Sequence, residues 1–233
     1  MGEGEWVGVV DKDVPDELPR RFRTTRVEAF SDGVFAIAVT LLVLELSVPP
    51  GQEDLLRAFL DQWPSYLAYV VSFATIGAAW LAHCAITEYL DRAERGLVRL
   101  NLLLLLVVSF LPFPTRLLAE YIGEPGPERV AVTIYGINLL VVAVLVWVLW
   151  RYVLREGLVR PDAGDAEVQV LTKRLTPGFA GYLVMIVFGL FLPVAAVFGY
   201  LAIALFLILP IGLKRRSAGK AQPPNHPQTG SGP

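Results

Sequence analysis

The chain holds a single cysteine, Cys84, and only two histidines, His83 and His226. One thiol excludes a disulfide within the chain, and no paired-cysteine or HExxH spacing exists to hold a resident metal. A glycine-rich phosphate loop is also missing. Ser31, Asp32 and His83 could be drawn as a triad, but no nucleophile elbow or oxyanion motif accompanies them. No enzyme activity, no cofactor and no nucleic-acid partner is expected from such a sequence.

Charge is scarce as well. Charged residues make up 18% of the chain, against about 25% in soluble domains. They are concentrated in short connecting stretches, and long windows have almost none. With 55% hydrophobic residues, this pattern is that of a multi-pass membrane protein rather than a soluble one with a large core. The net charge of −2 says little, because the placement of Lys and Arg matters more in membranes than their sum. Residues 1–25 are polar, carry Asp11, Asp13, Asp16 and Glu17, and lack the apolar run of a signal peptide. They read as a cytoplasmic N-terminal segment. Residues 214–233 are rich in Pro, Gly and polar side chains and read as a disordered cytoplasmic tail.

Between these ends, residues 26–213 hold apolar stretches at about 29–48, 64–89, 97–118 and 130–154. Each reaches the roughly 20 residues needed to cross a bilayer. Pro49-Pro50-Gly51 stops the first, Pro64 suits the first turn of the second, and Pro112 and Pro114 predict a kink or early stop in the third. The last block, 178–213, is long for one span and short for two. Gly189 and Pro193 favour two short helices folded back at Phe191-Leu192-Pro193. No internal repeat of the kind found in inverted-repeat transporters is visible.

The expected fold class is therefore an all-α integral membrane protein with six transmembrane helices. Basic residues support the even count. If both ends are cytoplasmic, every Lys and Arg except Arg57, Arg116 and Arg129 falls on the inner side. Five or seven spans would place part of this basic set outside.

The first apolar stretch, RVEAFSDGVFAIAVTLLVLEL at 26–46, carries polar groups that hydrocarbon rejects. On a helical wheel Ile37, Leu41 and Leu44 fall on one stripe, with Thr40 at its border. Such a stripe either faces lipid or converges with copies of itself into a narrow hydrophobic constriction. Ser31 and Asp32 either cap the helix start or join an interhelical network with Trp80 and His83 of the second stretch and Asn101 of the third. Glu45 is either a solvated end-of-helix carboxylate or one member of a charge ring at an outer mouth. On these residues alone, a channel and a transporter using Asp32 and His83 as a proton-coupled pair stand level. A non-transporting scaffold is a third class.

The same stretch resembles the first helix of the prokaryotic TMEM175 family of potassium channels. The likeness rests on R-x-x-x-F-S-D, met by Arg26, Phe30, Ser31 and Asp32, and continues through GVFAIAVTLLVLE. A W-x-x-H pattern is met by Trp80 and His83, and a third-helix asparagine by Asn101. The resemblance implies a homotetramer in the cell membrane, six helices per chain, with the first helix lining a central pore. It implies potassium as the permeant ion, Ile37, Leu41 and Leu44 as the constriction, and Thr40 as a layer linked to potassium preference. Arg26, Phe30, Ser31, Asp32, Trp80, His83 and Asn101 would hold the helices together, with membrane lipid around the assembly.

Overall fold

A computed structural model describes residues 21–22, 24–47, 54–175 and 178–209. The N-terminal segment expected over 1–25, apart from 21, 22, 24 and 25, lies outside the described residues. So do the tail expected over 214–233 and the Pro49-Pro50-Gly51 stop.

Apart from connecting turns and an isolated bridge between Leu90 and Val159, the described residues form helices and one two-stranded pair. In hydrocarbon an isolated segment satisfies its own backbone polar groups only as a helix. Helix α1 covers Thr24–Leu41 and tightens into a 3-10 turn over Leu42–Glu45. It thus begins five residues before the apolar stretch that hydropathy marks, because hydropathy registers only the greasy part of a helix. That early start moves Ser31 and Asp32 about two turns inside the helix, so they do not cap it.

A short helix, α2 (Leu55–Asp61), follows, with the Asp54 side chain accepting from the Arg57 backbone N–H at 3.1 Å. Then come α3 (Trp63–Glu88), α4 (Arg95–Phe110), α5 (Pro112–Tyr121) and α6 (Pro127–Arg155). The described residues end with α7 (Asp165–Leu175), α8 (Gly178–Gly189) and α9 (Pro193–Ile208). Pro64, Pro112, Pro127 and Pro193 all sit in first turns, where the missing N–H costs no helical bond. The expected interruption of the third stretch falls at Leu111, between α4 and α5. The expected fold-back of the last block falls between Gly189 and Pro193.

Four helical stretches are long and apolar enough to cross a membrane: Thr24–Glu45, Trp63–Glu88, Arg95–Tyr121 and Pro127–Arg155. Helices α8 and α9 have 12 and 16 residues, about 18 and 24 Å at 1.5 Å per residue. They are shorter than an untilted ~30 Å span requires.

Strand β1 (Arg21–Phe22) pairs antiparallel with β2 (Ala93–Glu94). Asp91 N–H donates to the Leu158 carbonyl and Arg160 N–H to that of Tyr89, each at 2.9 Å. Strand β1 just before α1, the α3–α4 connection and the α6–α7 connection therefore meet at one end of the bundle. Those are the segments that the basic-residue rule groups together. Helix α6 closes there on Gly157, whose φ of +61° lets Leu158 N–H reach the Val153 carbonyl at 3.0 Å. Inside the bundle α6 packs on α4, α5 and α8, and α3 packs on α5 and α9. Trp150, Tyr135, Leu139 and Tyr200 are among the fully covered side chains. Gly136 has no side chain, and this admits the Tyr200 hydroxyl and the Ile186 side chain against α6.

Candidate functional site

Helix α1 is divided lengthwise. Ser31, Phe35, Ala38 and Leu42 recur at helical spacing and are buried, and α1 packs on α3 and α4. Phe30, Ile37, Leu41 and Leu44 occupy the other side. Ile37 is 60% exposed and Leu44 is 71% exposed within the single chain. The uncovered surface continues onto α4 at Leu102 and Leu106, forming an open apolar groove of about 370 Å³. Thr40 is exposed beside this stripe, and its hydroxyl donates to the Ile37 carbonyl at 2.9 Å. Its one proton is thereby spent inward, while its oxygen keeps lone-pair capacity toward whatever adjoins α1.

A chain of hydrogen bonds crosses the buried side. His83 Nε2 lies 2.9 Å from the Asn101 side-chain oxygen. The Asn101 amide donates to Ser31 Oγ at 2.9 Å, and Ser31 Oγ donates to the Val27 carbonyl at 2.8 Å. Three helices, α3, α4 and α1, are joined in that order. Ser31, His83 and Asn101 are all buried at 3% exposure or less, so each bond stands in for water the groups lost. The Phe35 ring sits 5.6 Å from the imidazole, centroid to centroid, and covers the bond from α1.

Asp32 and Trp80 meet separately. The Trp80 indole N–H donates to Asp32 Oδ1 at 2.9 Å, in an exposed position. Among the described residues, Arg26 and Phe30 take no part in either set of bonds. Arg26 is exposed, and Phe30 lies with the uncovered stripe at the groove.

Glu45 is partly covered at the end of the 3-10 turn. Its Oε2 is 3.9 Å from Arg116 Nε, which also donates to Glu120 Oε1 at 2.8 Å. Its carboxylate therefore shares a cation with a second carboxylate.

One polar cluster has no counterpart in the sequence reading. Ser72 Oγ lies 2.7 Å from Thr115 Oγ1 and 3.0 Å from the Tyr135 hydroxyl. The cluster joins α3, α5 and α6, and all three side chains are buried. Single Ser and Thr residues are frequent in membrane helices because they back-bond to their own carbonyls, as Thr115 does to Leu111 at 2.8 Å. Only the position of Thr115, just after the double proline, could have singled it out.

Comparison with known proteins places these features. Residues 26–112 match the family model described as endosomal/lysosomal potassium channel TMEM175. A protein of Streptomyces collinus named as a potassium channel is 44% identical over 160 residues, covering 67% of this chain and 78% of its own. The crystal structure of a lysosomal potassium-selective channel TMEM175 homolog from Chamaesiphon minutus superposes with a TM-score of 0.71 at 38% identity. That match covers 79% of this chain and 95% of the other. The Gallus gallus endosomal/lysosomal proton channel TMEM175 is 35% identical over 135 residues, 54% of this chain but 27% of that protein. The matched segment holds α1, its Ser31–Asn101–His83 anchor and the Asp32–Trp80 pair, and the chain belongs to the TMEM175 family, whose members are ion channels and not enzymes.

Proposed function

We propose that the chain is one subunit of a potassium-permeable channel of the cell membrane, built as a homotetramer around α1. Ions would pass down their electrochemical gradient through a central pore, with no cofactor. The observation that carries this reading is the division of α1. One side is bonded and packed into its own subunit, and the other presents Ile37, Leu41 and Leu44 uncovered. A ring of such stripes forms a narrow apolar zone, which blocks ions by excluding water until it widens. Thr40 adds hydroxyl oxygens beside that zone. The open groove between α1 and α4 gives a neighbouring subunit an apolar surface to pack on.

Six membrane-crossing segments with both ends cytoplasmic complete the proposal. Helices α8 and α9 would pair to form the last two crossings, consistent with their mutual packing. A proton-coupled transporter using Asp32 and His83 has less support. Among the described residues these two share no hydrogen bond, since Asp32 is held by Trp80 and His83 pairs with Asn101.

Planar-bilayer recording of the purified protein, with potassium on one side and sodium on the other, tests the reading. Discrete single-channel events from a preparation whose mass equals four chains are the expected result. Saturable, gradient-coupled flux without such events would instead favour the transporter.

A further inference from the structure

A second cavity lies away from the uncovered stripe of α1. It has a volume of about 310 Å³ and runs between α3, α6, α8 and α9, with α7 at one end. Its size is at the lower bound for small-molecule sites. It exists because α3 turns alanines, Ala78 and Ala82 among them, toward Ala143 and Val146 of α6. The lining runs from Thr75 to Ala85 along α3, about 15 Å of helix at 1.5 Å per residue. The space is thus long, narrow and greasy.

Only three lining residues carry polar side chains: Thr75, Tyr182 and Arg174. Thr75 spends its proton on the Val71 carbonyl at 2.8 Å. Tyr182 is 2% exposed, yet its hydroxyl makes no hydrogen bond among the described residues. Arg174 belongs to the last turn of α7. One of its terminal nitrogens, Nη2, donates to the Leu207 and Leu209 carbonyls at 2.6 and 3.2 Å. Those bonds hold the guanidinium at the end of α9. The N–H groups on its other two nitrogens take no partner among the described residues, which leaves three of five donors.

An apolar cavity of this kind does not retain water, and a charge at one end asks for an anion. Hydrocarbon chain and anionic head group, joined in one molecule, satisfy both ends. The bilayer around a membrane-crossing bundle supplies such molecules at high local concentration. Lys173 adjoins Arg174, and Lys214-Arg215-Arg216 begins five residues after Leu209 in the sequence. Basic clusters next to a membrane helix attract anionic lipid.

We propose that this cavity holds one acyl chain of an anionic phospholipid from the surrounding bilayer, with its phosphate on Arg174. The lipid would brace α3 against α6, α7 and α9 from within each subunit. The proposal requires only that the bundle lies in a membrane, so it stands apart from the conduction reading.

The test is lipid retention measured by mass. Full-length protein is placed in bilayers of equal phosphatidylglycerol and phosphatidylcholine, extracted, and weighed by native mass spectrometry. One phosphatidylglycerol per chain is expected, at least tenfold over phosphatidylcholine. Arg174→Gln should abolish that preference. Ala143→Phe fills the cavity and should abolish retention with Arg174 intact; Ala82→Leu is a milder filling that should reduce it. Equal retention of the two lipids by the unaltered protein would overturn the proposal. So would a free fatty acid in place of the phospholipid, or undiminished phosphatidylglycerol in both filled variants. An unaltered protein that carries no lipid also overturns it, and a change of oligomer mass in Ala143→Phe would then assign the cavity to a neighbouring subunit.

Discussion

His83 and Asn101 are locked in one direction: the imidazole Nε2–H donates to the Asn101 oxygen across 2.9 Å. The reverse is excluded because the Asn101 amide is committed to Ser31 Oγ, and the Ser31 proton to the Val27 carbonyl. Donors and acceptors thus run in a single sense from α3 through α4 to the backbone of α1. The imidazole must carry its proton on Nε2 to take part. The helix that presents the uncovered stripe is thereby pinned in rotation by a buried asparagine on its neighbour.

Asn101→Leu should be the costliest single change to this anchor. It leaves His83 without its Nε2 partner and Ser31 with one acceptor position unused in a dry site, a loss of about 1–3 kcal/mol. Trp80→Phe removes an exposed hydrogen bond to Asp32 and should cost less, about 1 kcal/mol. Thermal unfolding in detergent checks the order: the Asn101 variant should melt below the Trp80 variant, and both below the unaltered protein.

Widening or wetting the proposed constriction should ease permeation. Leu41→Ala and Ile37→Asn are expected to raise single-channel conductance and loosen discrimination between potassium and sodium. If both variants conduct as the unaltered protein does in reconstituted bilayers, these side chains do not form the narrow zone.

Thr40→Ala keeps the helix and deletes the hydroxyl oxygen. Its own bond is to the Ile37 carbonyl within α1, so folding should change little. The preference for potassium over sodium should fall. The reversal potential under bi-ionic conditions reports this directly, and an unmoved value would remove Thr40 from the selectivity argument.

Glu45 and Arg116 should act in opposite senses. Arg116→Gln leaves the Glu45 and Glu120 carboxylates without their shared cation and should increase cation conductance at low salt. Glu45→Gln should decrease it. Both changes should fade near 1 M salt, where the screening length is about 3 Å, compared with about 30 Å at 0.01 M. Effects that persist at high salt would point to altered packing rather than charge.

How much of this was legible beforehand depended on the range of the signal. Apolar runs located all four helical stretches long enough to cross a membrane, and prolines located the break at Leu111 and the turn before Pro193. Two short helices escaped: α2 is apolar but only seven residues long, and α7 is polar and buries Leu171 alone. The start of α1 at Thr24 was hidden for the same reason, since Thr24–Glu28 is polar yet helical. Ser31, Asn101 and His83 stood out as polar residues in oily surroundings. The Ser72–Thr115–Tyr135 cluster did not, because hydroxyls in membrane helices commonly satisfy themselves locally.

By itself the sequence determined which segments are helical and apolar, where proline breaks them, and which positions on α1 share a face. These are consequences of composition and of a 3.6-residue period, and they need no partner. Only the tertiary structure decided which polar groups meet, since Ser31 and Asn101 are 70 residues apart and no local rule pairs them. It also decided that Glu45 shares the cation of Arg116, and that small residues on α3 leave a cavity ending at Arg174. A buried polar group must find a hydrogen-bond partner once water is gone, and that partner is chosen by how the helices pack.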